Sequence, residues 1–182
     1  MVNYGTTELA KAYRTVRNNT IQIARDIPED KYDFRPVPET RSVRELFGHI
    51  AVITLLHYDF HRDRRLTTLA GYDFLAFMKR SNAEASKPRS KAELVALLET
   101  EGEKFAQWVE SLDDKFLNET YTDPMGQNPR TRFEHLLSAK EHEMHHRGQL
   151  MLIQRLIGVT PHLTREAQER RARMAAAAAP KS

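Results

Sequence analysis

Cysteine is absent from the 182 residues. That excludes disulfides, thiolate metal sites and a cysteine nucleophile together. Long apolar runs are missing too: nothing approaches the ~18–20 residues that cross a bilayer. The stretch Met1-Val-Asn-Tyr-Gly-Thr6 lacks the basic and apolar regions of a signal peptide. No membrane association is expected, and the cytoplasm is the expected compartment. Strand alternation is scarce, and no internal repeat is visible.

The net charge of +3 suggests nucleic acid until it is located. Between Thr164 and Ser182, Arg165, Arg170, Arg171, Arg173 and Lys181 face only Glu166 and Glu169, which accounts for all of it. A short tail without aromatic rings offers neither a basic face on the fold nor a stacking platform, so no nucleic-acid partner is expected. Residues 1–163 read as one domain and 164–182 as a charged, alanine-rich, solvated helical extension. The domain is long enough to bury a full core without staples.

What the chain does have is helical periodicity. A first helix opens at Thr6 or Thr7 and carries Leu9, Tyr13, Val16, Thr20, Ile23 and Ile27 on one stripe before Pro28 stops it. Three capping boxes follow, Ser42 with Glu45, Ser90 with Glu93 and Thr131 with Glu134. The second helix has the seam Leu46, His49, Ile53, Leu56 and Phe60, and the third Leu94, Leu98, Glu101, Phe105, Trp108 and Leu112. The fourth ends at Gly158 with Pro161 behind it. Four such segments predict an all-α, up-and-down four-helix bundle with a long connection between helices 2 and 3. That connection, 63–89, has room for a short helix around Asp73 to Lys79. The stretch Asp113 to Arg130, with Pro124, Gly126 and Pro129, reads as a loop that could cover a site at one mouth of the bundle.

The fourth helix carries a conflict. Positions His135, Ala139, His142, His146, Gln149, Ile153 and Leu156 follow steps of four and three, so imidazoles fall where an apolar seam should be. A buried polar group without a partner costs roughly 1–3 kcal/mol, so several on one stripe imply something there to bind. Imidazoles at i and i+4 lie about 5–6 Å apart at Cβ and can share an ion. His49 interrupts the second seam; with the second and fourth helices parallel, its depth and that of His142 differ by about one turn. Three histidines leave a coordination position open, as catalytic sites do.

The other polar residues fall into place around this reading. His145 competes with His146, but lies off the stripe. His57 and His61 flank their seam and read as a partly exposed edge, with His57 a candidate to line the pocket or act as a ligand. His135 sits near a cap where solvent reaches, and His162 reads as surface. Gln149 is placed to orient a ligand imidazole or touch a substrate. Glu101 is a candidate fourth ligand or general base, against the plainer reading of a carboxylate near a bundle end. Glu143, rotated by about 100° from His142, reads as a surface charge.

The string His142-Glu-Met-His-His146-Arg-Gly-Gln149-Leu, followed by Gln154-Arg-Leu-Ile-Gly158-Val-Thr-Pro161, closely resembles the signature of the DinB-like (DinB/YfiT) family of metal-dependent four-helix-bundle proteins. So does Phe34-Arg-Pro-Val-Pro38 running into Arg41-Ser-Val-Arg-Glu-Leu-Phe-Gly-His49. The resemblance covers roughly residues 5 to 163. It implies a bundle that is often a homodimer, with a divalent ion held by His49, His142 and His146. Characterised members resemble thiol-dependent enzymes, including S-transferases that use bacillithiol or similar thiols and a mycothiol-dependent isomerase. A metal with an open position can lower the pKa of a bound thiol, which supplies a nucleophile without a protein cysteine. The expected activity is therefore a metal-dependent transfer to or from a low-molecular-weight thiol. Hydrolysis by metal-activated water is the alternative enzyme, and a non-catalytic metal-binding stress protein, its ion enclosed by Glu101 or His57, the alternative of another class. The ion itself, zinc, nickel, manganese or iron, is not legible from imidazole donors.

Overall fold

The computed structural model describes residues 4–178. The first helix, α1 (Thr6–Asp26), is capped at Gly5, whose N–H donates to Glu8, and its predicted stripe, Leu9 to Ile27, is buried throughout. A single turn at Glu29–Lys31 then carries the chain across the bundle end, pinned by the buried Tyr32, whose hydroxyl donates to the Ala24 carbonyl.

Ser42 and Glu45 form the predicted capping box and open α2 (Val43–Val52). This helix continues through α3 (Thr54–His57) into a π-helical segment, Tyr58–Asp63. The helix breaks between Val52 and Thr54 and then winds into the π form, and His57 just before that segment and His61 within it face inward, at 2% and 1% exposure, instead of lying at the expected edge. The long connection does hold a helix, α4 (Phe74–Ala85), capped by Asp73. Its end lies against Gly48, where an added Cβ would sit 2.3 Å from the Ala85 carbonyl oxygen.

The third bundle helix, α5 (Lys91–Glu110), begins at the Ser90–Glu93 capping box. Residues 113–130 are more structured than the expected loop: α6 (Asp114–Asn118) is followed by β1 (Thr120–Tyr121), which pairs antiparallel with β2 (Arg130–Thr131). The fourth bundle helix, α7 (Arg132–Leu156), is capped by Thr131, which accepts from the Glu134 N–H, though Glu134 does not complete the box. The last helix, α8 (His162–Ala178), forms most of the expected extension; Ala179–Ser182 lie outside the described residues. It starts inside the domain, with His162 only 4% exposed and beside Asn19, which corrects the surface reading of that histidine.

In the bundle α1 packs on α5 and α7, and α2 packs on the same two. Arg14 pairs with Glu110 and Lys91 reaches the Arg25 carbonyl, so α1 and α5 run antiparallel. Tyr4 meets Phe133 and Arg17 meets Glu143, so α1 and α7 are parallel. His49 meets His142 while His61 meets His135, which makes α2 and α7 antiparallel, not parallel as the depth argument assumed. The four-helix bundle stands, but its helices do not alternate up and down as expected: α2 and α5 run the same way. The convergence therefore comes from where the helices cross and not from equal depth below their caps.

Candidate metal centre

Gly48 lets α4 press on the outside of α2, while the neighbouring His49 points to α7. There the Nε2 atoms of His49 and His142 lie 3.1 Å apart, and those of His142 and His146 3.2 Å apart. All three ligand nitrogens fall within 4.8 Å of one another. Nitrogens around a tetrahedral zinc at 2.0–2.1 Å would be about 3.3 Å apart, so little movement separates this arrangement from a coordination face.

Tautomers sharpen the point. Gln149 accepts from Nδ1 of His146 at 2.8 Å, so the His146 proton sits there and its Nε2 presents a lone pair. The same amide donates to His145 at 3.2 Å. His142 Nε2 has a ring nitrogen on each side and at most one proton to give, so hydrogen bonding cannot satisfy all three rings. A shared cation would satisfy the three Nε2 atoms, while Nδ1 of His142 stays buried without a partner among the described residues. Burial, then the charge of Arg41, holds His49 down at about 3. Burial, then His146, holds His142 at about 4, and burial lowers His146 as well. Neutral imidazole is the ligating form.

A groove of about 730 Å³ reaches the triad at His146, lined also by Glu39, Arg41, Leu46, His145 and Gln149 among others. Glu101 and His57 do not join the triad. Glu101 pairs with Lys104 and lines a separate cavity of about 490 Å³ with Tyr58 and Arg62. His57 belongs to a second cluster with His61 and His135.

Glu143 corrects the sequence reading most directly. It is fully buried and accepts from Arg17 Nε at 2.9 and 3.0 Å. The buried line of α7 is Arg132, Leu136, Ala139, Glu143, His146, Leu150 and Ile153, displaced by part of a turn from the expected stripe. Ala139, His146 and Ile153 belong to both lines, while Gln149 and Leu156 are exposed. A buried carboxylate is legible only with its partner, and nothing in the sequence ties residue 17 to residue 143. For the second cluster a signal existed, the i,i+4 pair His57 and His61, but neither the break after Val52 nor the π segment from Tyr58 is marked in the sequence.

A family model described as the DinB superfamily matches residues 12–150. The chain belongs to the DinB superfamily. Among solved structures, this DinB-superfamily chain is similar to a DinB-like protein, YjoA, from Bacillus subtilis, at 24% identity and TM-score 0.61 over 84% of this chain and 94% of that one. It also resembles YfiT from Bacillus subtilis, described as a probable metal-dependent hydrolase with an unusual four-helix bundle topology, at 17% identity and TM-score 0.66 over 88% and 91%. A DinB-family protein from Exiguobacterium sibiricum aligns at 23% identity and TM-score 0.60 over 87% and 94%. At these identities the likeness speaks for the fold. No curated protein matches in sequence.

Proposed function

We propose that this DinB-superfamily chain is a metal-dependent transferase that holds a divalent ion with His49, His142 and His146 and acts on a low-molecular-weight thiol. The observation that carries the reading is the convergence of three Nε2 atoms beside an open groove. When bound, the ion supplies Lewis acidity that lowers the pKa of a coordinated thiol or water. The protein's share is orientation. Gln149 fixes the His146 ring, and burial keeps the histidines neutral. Glu39 and Arg41, of opposite charge in the same groove, match the amine and carboxylate that small cellular thiols carry. The thiol proton leaves to solvent along the groove, sulfur bonds to the electrophilic carbon, and the leaving group departs with the bonding pair.

A homodimer and a cytoplasmic location belong to the same reading. No helix among the described residues is long and apolar enough to cross a membrane. Hydrolysis is the second reading, because the same constellation can activate water and YfiT is described as a probable metal-dependent hydrolase. The test is to reconstitute tag-free protein with zinc, nickel, manganese or iron and assay thiol conjugation to electrophiles beside ester, amide and phosphate hydrolysis. Metal-dependent conjugation supports the proposal, and metal-dependent hydrolysis alone replaces it with the second reading. Absence of both, with metal bound, favours a non-catalytic role.

A further inference from the structure

His57, His61 and His135 have no part in the function proposed above. The π segment sets the rings of His57 and His61 nearly parallel, 22° apart in plane, with His135 facing both at 4.7 and 4.9 Å between centroids. One nitrogen from each lies within 4.8 Å of the others. Phe60, Phe105 and Tyr121 surround them, a setting that a phenylalanine at position 57 would suit better if packing were all that mattered. Nδ1 of His57 is instead buried with no hydrogen-bond partner among the described residues. An orphan of that kind costs about 1–3 kcal/mol unless something binds it.

We propose that His57, His61 and His135 form a second site for a divalent transition-metal ion, of the class that imidazole donors suit. His135 and His142 are seven residues apart on α7, about 10 Å of helix rise, so the two ions are too distant to share a bridging ligand at the 3.5–4 Å of two-metal centres. The second site is a separate, enclosed one, covered by Tyr121 of β1.

Arg132 sets its strength. Its Nη1 donates to Nδ1 of His61 at 2.8 Å, so neutral His61 carries its proton on Nε2, where it is shared with Nδ1 of His135 at 2.7 Å. Metal loading must move that proton to Nδ1 and release Nη1, while Nε of Arg132 keeps its bond to Glu119 at 2.9 Å. The first triad needs no such switch, because Gln149 already accepts from His146 Nδ1. The second site therefore binds more weakly.

The test is a competitive Zn(II) titration of the metal-free full chain, purified without an affinity tag. Two ions per chain are expected, the second at least about tenfold weaker. His61→Ala with His135→Ala removes the weaker step alone; His49→Ala with His142→Ala removes the tighter step alone. Because buried double substitutions risk unfolding, the wild-type chain is also followed through its imidazole ¹⁵N resonances, and the second equivalent should move His57, His61 and His135. Saturation at one ion with those resonances unmoved overturns the proposal. So does a second ion that tracks the exposed His145. Loss of the tighter ion alone in the wild type would count against the first triad and leave this site standing.

Discussion

Arg17 on α1 and Glu143 on α7 face each other inside the bundle, with side chains 3% and 0% exposed and Nε 2.9 and 3.0 Å from the two carboxylate oxygens. The remaining arginine donors reach the carbonyls of Leu98 and Ile50 and the Tyr13 hydroxyl. One side chain thus ties all four bundle helices together. The layer lies between two apolar clusters, one around Ile23, Phe47 and Leu98 and the other around Tyr13, Phe105 and Leu136. Glu143 is also the neighbour of His142, so the pair fixes the rotation of α7 that aims the histidines.

Breaking this pair from one side should be costly. Arg17→Met or Glu143→Met leaves a buried charge unpaired, and a loss of about 3–5 kcal/mol is expected in urea unfolding. The double variant should lose less than the two singles combined. Strict additivity would mean the two residues act independently.

Gly102 makes room for the same arginine. A Cβ there would stand 2.6 Å from Arg17 Cγ, so Gly102→Ala should cost about 1–3 kcal/mol by overpacking, despite alanine's better helix propensity. A thermal midpoint equal to or above the wild type would contradict the packing.

Gln149 is exposed, so replacing it should spare the fold. Gln149→Leu removes the acceptor of His146 Nδ1–H. Metal affinity should fall by about 10–100-fold with unchanged urea stability of the metal-free protein. Unaltered affinity in a calorimetric titration would show that the amide does not position the ring.

The buried histidines predict acid lability. Burial, then neighbouring charge, holds His61 near 3 and His135 near 4, and His57 well below its ordinary value. Unfolded, each returns to about 6.5, so below that pH the unfolded chain binds more protons. Stability is therefore full above about pH 6.5 and falls as pH drops toward 4, by up to about 1.4 kcal/mol per pH unit for each such group. Urea midpoints of the metal-free protein at pH 7.5, 6 and 5 should decline in that order; a flat series would contradict the neutral cluster.

The helices were legible because their signals are local. Ser42, Ser90 and Thr131 marked three helix starts, and the α1 stripe from Leu9 to Ile27 is buried as read. The rotation of α7 was not, because it depends on Arg17, a residue 126 positions from its partner. His57 and His61 were misjudged because the helix breaks between Val52 and Thr54 and winds into a π segment from Tyr58, and capping and periodicity carry no mark of either. The meeting of His49 with His142 and His146 was anticipated from the interrupted seams, although the assumed helix direction was the reverse of the observed one.

The most direct check of the first triad is the nitrogen coordination of the ion that tag-free protein carries, measured by X-ray absorption beside elemental analysis, in the wild type and in His142→Ala. The wild type should retain a divalent transition metal in near-stoichiometric amount or above, with a shell of imidazole nitrogens, and His142→Ala should lose about one equivalent. A folded His142→Ala protein with undiminished metal content, or a metal-replete wild type that carries none, would contradict it.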